Sequence, residues 1–373
     1  MNKIFIAVLT TTLFFIFCNC ERRGLALDTN QVTVNLISDN RSDCDTLFLS
    51  SMIDSVSIVR LESKENCMIG MIRDIKIYKD LIFISQYQQS SLLIFNSNGN
   101  FVRKIGNVGR GHGEYLGVAS FDINPTNDQI SILDNTTKKV SKYSLLGEFE
   151  GSFPINDFPQ DMVVTSNGEY IFYDPLYQYS EYNSGIWMTD PSGVFKKQLL
   201  SFKRKEKWSS GIFPHYYQKN NNQASLIAKD DYLYVIENGE ITPVFKINVD
   251  IKIPQKIKRQ SFVEKYEPYS AYAIMNYFST NRFCAFTVLE LSRQNEVSVI
   301  IDRVNSKTYY VDKKHPFVFD SKYGPVPFYS CSGNKIIGVI DPSSIMNNEH
   351  YKKIFPNYDM DSNPILVLYN FKD

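Results

Sequence analysis

The sequence predicts an all-β fold, a six-bladed β-propeller with four-stranded antiparallel blades and an N-terminal strand closing the last blade. Three observations predict it. Ile84–Phe101 (ISQYQQSSLLIFNSNGNF) aligns with Ile132–Phe149 (ILDNTTKKVSKYSLLGEF) at an offset of 48 residues, with Leu92 on Val140, Phe95 on Tyr143 and Gly99 on Gly147. A fixed period of this length is the signature of propeller blades. The composition is that of a sheet protein, with 14% aromatic residues, among them 24 Tyr and 26 Phe, which fit a pleated and half-buried surface. Convincing helical periodicity is scarce, so the crossover helices of a parallel sheet are missing.

In each copy an apolar strand runs into a polar turn. A second strand with aromatics follows, then a turn such as Asn98-Gly99 and a third strand. Asn-Gly supplies the positive φ angles of a tight hairpin. Weaker copies start at Asn167–Asp174, closing near Asp190–Gly193, and at Asp231–Ile236 with Asn238-Gly239. Phe283–Val311 reads as a fifth unit, and Lys335–Ile340 with Ile365–Tyr369 as a sixth. Six such units average about 54 residues, slightly above the usual blade length. Stacked sandwiches are the other way to bury these sheets, but the period favours a ring. Val56–Leu61 stands ahead of the first full unit and is expected to pair with the last blade, tying the termini together. Ser261–Phe278 is the main helical candidate, read as an insertion between blades.

The chain divides into residues 1–20, a signal segment; 21–46, a polar tether; and 47–373, the propeller. Lys3 and the apolar run Ile4–Phe17 have the layout of a secretory signal, and the run falls short of the roughly 20 residues a membrane-spanning helix needs. Its end, Phe17-Cys18-Asn19-Cys20, resembles a bacterial lipoprotein signal, with Cys20 as the lipidated residue. An ordinary secreted protein and a retained anchor are the other readings. An outer-membrane address in the cell envelope follows from the first. Forty basic and forty acidic residues cancel, and no basic stripe marks a nucleic-acid surface, so that class is excluded. Cys44, Cys67, Cys284 and Cys331 lack zinc-ligand spacing. A Cys44–Cys67 disulfide and scattered buried thiols both remain open.

Gly106-x-x-Gly109-x-Gly111-x-Gly113-Glu114-Tyr115, followed by Ile130–Leu133, Asp134, Val140, Tyr143 and Gly147, resembles an NHL-type propeller repeat. With the leader, the strand Asp54–Glu62 and the hairpin around Leu233–Pro243, the chain is similar to the six-bladed β-propeller lipoproteins of Bacteroidota. It departs from them at His112, where they usually carry proline. The resemblance implies fold and address and no general activity.

Residues 104–118 invite comparison with a phosphate loop. The glycine spacing is G-x-G-x-G, without the helix or the Lys-Ser/Thr ending that a nucleotide site requires. The loop is therefore read first as a blade connection. Arg110, His112 and Glu114 project polar chemistry from it and are candidates for ligand contact. Asp134 and Asp174 end strands, where aspartate is usually a turn former. NHL-like enzymes that release amides or open lactones hold a metal on the central axis, which makes the same two aspartates candidate ligands, with Ca²⁺ the cofactor to consider. Tyr177 and Tyr179, within Tyr173–Tyr182, are placed to stack on a sugar or grip a peptide. Trp187 and Trp208 read as anchors and Lys203–Lys207 as a solvated loop. No hydrolase elbow is present. The expected function is a non-catalytic, monomeric binding module for a glycan, a peptide or an envelope protein, with no required cofactor. A metal-assisted lyase or lactonase-type hydrolase is the alternative.

Overall fold

A computed structural model describes residues 32–35, 52–87, 91–174, 185–201, 217–220, 223–228, 230–250, 272–280, 282–290, 295–305, 307–311, 326 and 328–372. They form the expected six-bladed β-propeller of antiparallel blades. Blade one is Ile72–Tyr78, Leu81–Gln86, Leu92–Asn96 and Phe101–Ile105. Blade two is Ser120–Asn124, Gln129–Asp134, Lys139–Tyr143 and Phe149–Pro154. Blade three is Asp161–Val164, Tyr170–Asp174, Gly185–Thr189 and Phe195–Ser201. Blade four is Gln218–Asn220, Gln223–Ile227, Tyr232–Glu237 and Glu240–Asp250, and blade five is Tyr272–Ser279, Phe283–Glu290, Asn295–Asp302 and Lys307–Val311. Blade six combines Phe328–Ser332, Lys335–Ile340 and Ile365–Phe371 with the N-terminal strand Ile53–Arg60, which pairs antiparallel with Ile365–Phe371. The closing strand expected from the sequence is in place.

Side-chain alternation explains why the middle strands read as unbroken apolar runs. On the second strand of blade one, Ile82 and Ile84 face blade six while Phe83 faces blade two. On that of blade three, Tyr170 and Phe172 face blade two while Ile171 and Tyr173 face blade four. Both faces are covered, so both must be apolar. The outermost strands have one covered face, and Phe101–Ile105 and Phe149–Pro154 alternate accordingly. Each of the six blade interfaces holds its own hydrophobic cluster. Trp187 lies in the one between blades two and three.

The repeat is written most clearly in the turns between third and fourth strands. Asn96, Ser144 and Asp190 each stand three residues before a glycine, Gly99, Gly147 and Gly193, and the backbone N–H of that glycine donates to their carbonyl. Their side-chain oxygens also accept from the turn's own N–H groups, as Asn96 does from Asn98 and Asn100 at 3.0 Å. Gly99 has φ +86°, and a Cβ there would stand 2.0 Å from the Arg60 carbonyl oxygen. The first blade therefore needs glycine where the closing strand lies over it.

Closure is fastened by one buried side chain. Asn363 accepts from the Ile69 N–H at 2.7 Å and donates to the carbonyls of Glu62 at 2.6 Å and Cys67 at 2.9 Å. Cys67, Cys284 and Cys331 are buried free thiols, and Cys44 lies outside the described residues.

Two features differ from the sequence reading. Tyr272–Ser279, the end of the helical candidate Ser261–Phe278, is the innermost strand of blade five; the remainder lies outside the described residues. A register shift between Met275 and Phe278 breaks the two-residue alternation that identifies a strand. The helices Pro342–Asn347 and Glu349–Ile354 instead sit inside blade six, between its second and third strands. Within the expected tether, Val32–Asn35 pairs parallel with Ile247–Asp250 as a fifth strand of blade four. No helix of the described residues is long and apolar enough to cross a membrane.

Candidate functional site

The innermost strands surround a central cleft of about 570 Å³, within the usual size range of ligand sites. Blade one contributes Asp74 and Lys76, blade two Asp122, blade four Gln218 and Lys219, and blade six Ser330 and Cys331. The cleft reaches the face that carries the first turn of each blade, at Lys79, Pro125, Gly333 and Lys335. The polar residues share a local pattern: in Asp74-Ile-Lys76-Ile and Phe121-Asp122-Ile123-Asn124, polar positions alternate with apolar ones on an inner strand. Asp74 and Asp122 repeat at the same 48-residue period as the blades. That period is the sequence signal for this site.

Asp122 is the hub. Its Oδ1 lies 3.3 Å from the Lys76 ammonium, and its Oδ2 accepts from Lys219 and from the Val164 N–H, each at 2.8 Å. Lys219 spends its other donors on the carbonyls of Ile123 at 2.9 Å and Val164 at 2.7 Å, binding blades two, three and four together. Asp74 lies 3.8 Å from Lys76. Behind this cluster, Asp161 accepts from Ser120 Oγ at 2.5 Å and the N–H groups of Met162 and Tyr217 at 2.8 and 2.9 Å. On the other side, Ser330 and Ser332 donate to the Ile75 and Ile77 carbonyls, linking blades six and one.

The environment keeps these groups charged. Burial disfavours the Asp122 carboxylate, but Lys219 and Lys76 outweigh it and hold its pKa below the usual carboxylate range. Burial likewise opposes the Lys76 ammonium, yet Asp122, Asp74 and Asp161 push its pKa up to about 12. Burial also pushes the Cys331 thiol up to about 12, so it is a poor nucleophile at neutral pH. Its Sγ–H donates to Gln218 Oε1 at 2.8 Å.

The residues singled out in the sequence lie elsewhere. The glycine loop leads into the innermost strand of blade two, at the end of the strand opposite its first turn, so it belongs to the other face of the ring. Glu114 folds back on its own loop, with Oε2 accepting from the Gly111 N–H at 2.6 Å, and a Cβ on Gly109 would collide with that carboxylate at 2.1 Å. His112 is exposed and meets Phe149 edge-on at 4.7 Å, and Arg110 is exposed as well. Asp134 is fully buried and accepts from Leu116 N, Thr136 N, Thr137 N and Thr137 Oγ1 at 2.7, 2.9, 3.2 and 2.5 Å. It thus ties the glycine loop to the second turn of its blade and acts as a turn former. Lys139 reinforces the same junction by donating to the Glu114 carbonyl at 2.6 Å. Asp174 is buried at the end of its strand, opposite Gly185. Cys20, Tyr177, Tyr179, Lys203–Lys207 and Trp208 lie outside the described residues. Among the described residues, no three His, Cys, Asp or Glu are grouped to hold a metal ion.

Residues 31–370 match a family described as a domain of unknown function, DUF4934. The chain belongs to that family. No curated protein matches it. Among solved structures it is similar to BF0058 of Bacteroides fragilis, described as an exported protein, with TM-score 0.73 and 17% identity over 92% of this chain and 100% of that one. A member of the duf4221 family from Bacteroides vulgatus gives TM-score 0.52 and 11% identity over 86% of this chain and 97% of that one. These likenesses establish that the DUF4934 chain shares the propeller fold of Bacteroides proteins.

Proposed function

We propose that the protein is an exported, lipid-anchored propeller that acts as a non-catalytic binding module for a glycan, a peptide or an envelope protein. The observation that carries this reading is the central cleft, sized for a small ligand or the tip of a larger one and lined by groups held in fixed charge states. General acid–base work needs a group that titrates near the operating pH. Asp122 and Lys76 are displaced away from neutrality in opposite directions, which suits recognition. The exported description of the Bacteroides fragilis neighbour agrees with the signal segment. Cys20 is the lipid attachment site on this reading, in an outer-membrane lipoprotein of NHL-like type.

The test is a glycan and peptide binding screen on protein lacking residues 1–20, with and without Ca²⁺. A saturable ligand is expected, with affinity independent of Ca²⁺. Arg110→Ala with His112→Ala distinguishes the glycine-loop face from the cleft: loss of binding in that variant would move the site to the loop. Turnover of a lactone or amide substrate that depends on added metal would replace the binding reading with the hydrolytic one.

A further inference from the structure

The cleft is asymmetric in its unspent hydrogen-bonding capacity. Its acceptors are largely engaged: Asp122 receives Lys76, Lys219 and Val164 N, Asp74 lies 3.8 Å from the Lys76 ammonium, and behind the cleft Asp161 receives Ser120, Met162 N and Tyr217 N. Its donors are not. Among the described residues the Lys76 ammonium makes one hydrogen bond, to Asp122, and has two further N–H groups, while its side chain stays 23% exposed. Lys335 is exposed at the mouth and has no acidic partner among the described residues. Gln218 uses its amide oxygen on Cys331, and its NH₂ has no hydrogen bond among the described residues. The Tyr217 hydroxyl is buried without a hydrogen-bond partner, on a residue that lines the same cleft. Lys79, also at the mouth, is held by Asp128 at 2.7 Å and is not part of this set.

We infer that the cleft binds the carboxylate of an anionic ligand, with Lys335 at the entrance and Lys76 with Gln218 deeper inside as the donors that receive it. The inference rests on the binding reading above and specifies its ligand. A cleft of surplus donors with filled acceptors is matched by a group that accepts only, and a carboxylate is such a group. Ammonium–carboxylate hydrogen bonds are roughly twice as strong as neutral ones. A neutral sugar or an amidated peptide end would offer the remaining Lys76 N–H groups no charged acceptor beyond Asp122 and Asp74. Two sources supply the same chemistry, the uronic acid of a glycan and the C-terminal carboxylate of a peptide.

The experiment uses the protein lacking residues 1–20 and calorimetric titration with four probes. These are a hexuronic acid oligosaccharide, its carboxyl-reduced counterpart, a tetrapeptide with a free C-terminus, and the same peptide amidated. One acid is expected to bind and its neutral partner to bind about tenfold more weakly or not at all. Which acid binds identifies the source. Lys335→Glu, at an exposed position that leaves the thermal midpoint unchanged, is expected to weaken the acid about tenfold. Lys76→Gln, which removes the deeper charge, is expected to abolish binding in a variant whose unfolding remains cooperative. Equal binding of acid and neutral partner, or an unchanged affinity in Lys335→Glu and Lys76→Gln together, overturns the carboxylate inference while leaving a binding module standing. Binding of none of the four, together with no ligand in the wider screen, overturns both.

Discussion

Asp122 shows how much of this molecule depends on one inner-strand residue. It neutralises Lys76 and Lys219, and through Lys219 it joins three blades. Replacing it with asparagine leaves two partly buried ammonium groups short of a counter-charge, a change expected to cost about 3 kcal/mol by analogy with broken buried pairs. The pH dependence has a definite sign. The folded pKa of Asp122 is depressed, so its stabilisation is present above the unfolded value of about 3.9 and is lost as pH falls through the lower folded value. Lys76 behaves in the opposite sense. Its pKa rises from 10.5 to about 12 in the folded protein, so its stabilisation is full below 10.5 and disappears as pH climbs towards 12. Urea unfolding of the native protein and Asp122→Asn at pH 7 should therefore differ by about 3 kcal/mol, and the gap should narrow towards pH 3. Equal stabilities at pH 7 would remove Asp122 from this role.

At the scale of elements, what the sequence discloses depends on how far each signal is local. The turns are local: Asn96, Ser144 and Asp190 with their glycines repeat as short motifs, so the blades are readable without a structure. Val56–Leu61 is readable as a strand from its short β-branched apolar run ahead of the first full repeat, and it overlaps the closing strand Ile53–Arg60. The innermost strand Tyr272–Ser279 is hard to read as a strand because the register shift between Met275 and Phe278 interrupts its two-residue alternation. The helices Pro342–Asn347 and Glu349–Ile354 have six residues each, too few to show a period. Their caps were the available clue, Asp341 accepting from Ser344 N at 3.0 Å and Asn348 from His350 N at 2.9 Å. The cleft was hidden for another reason, since its residues come from separate blades and meet only when the ring closes. The two N-terminal strands give a prediction at this scale. A chain starting at Leu61 loses Ile53–Arg60 and opens the edge of Ile365–Phe371, while keeping the Asn363 partners Glu62, Cys67 and Ile69. It should melt at least 10 °C lower and associate through the bare edge. Of the described strands, a chain starting at residue 47 loses Val32–Asn35 alone, the extra strand of a blade that already has four. It should remain monomeric and melt within about 4 °C of the full chain, consistent with a change near 1 kcal/mol. Light scattering and thermal melts would rank the two, and the reverse order would refute the closing role.

For the whole molecule, the decisive fact is that six apolar clusters occupy six blade interfaces in a closed circle. In an open solenoid, a weakened repeat can fray without its distant neighbours. In a ring, opening one interface bares two blade faces and turns the closed circle into an open row of blades. Inside the ring, the cleft network crosses several of the same interfaces, with Lys219 bridging blades four, two and three and the Ser330 and Ser332 hydroxyls bridging six and one. The central cleft and the circular core are thus mechanically one object. Damage at distant interfaces should therefore lower a common transition. Phe83 lies between blades one and two and Phe286 between blades four and five, almost opposite, and both are fully buried. Phe83→Ala and Phe286→Ala should each cost about 3–5 kcal/mol. In calorimetry each should shift a single peak whose calorimetric and van't Hoff enthalpies agree. The double variant should lose the sum, because the sites share no partner. Two separated peaks in either variant would show that the blades melt as independent units and that closure does not couple them.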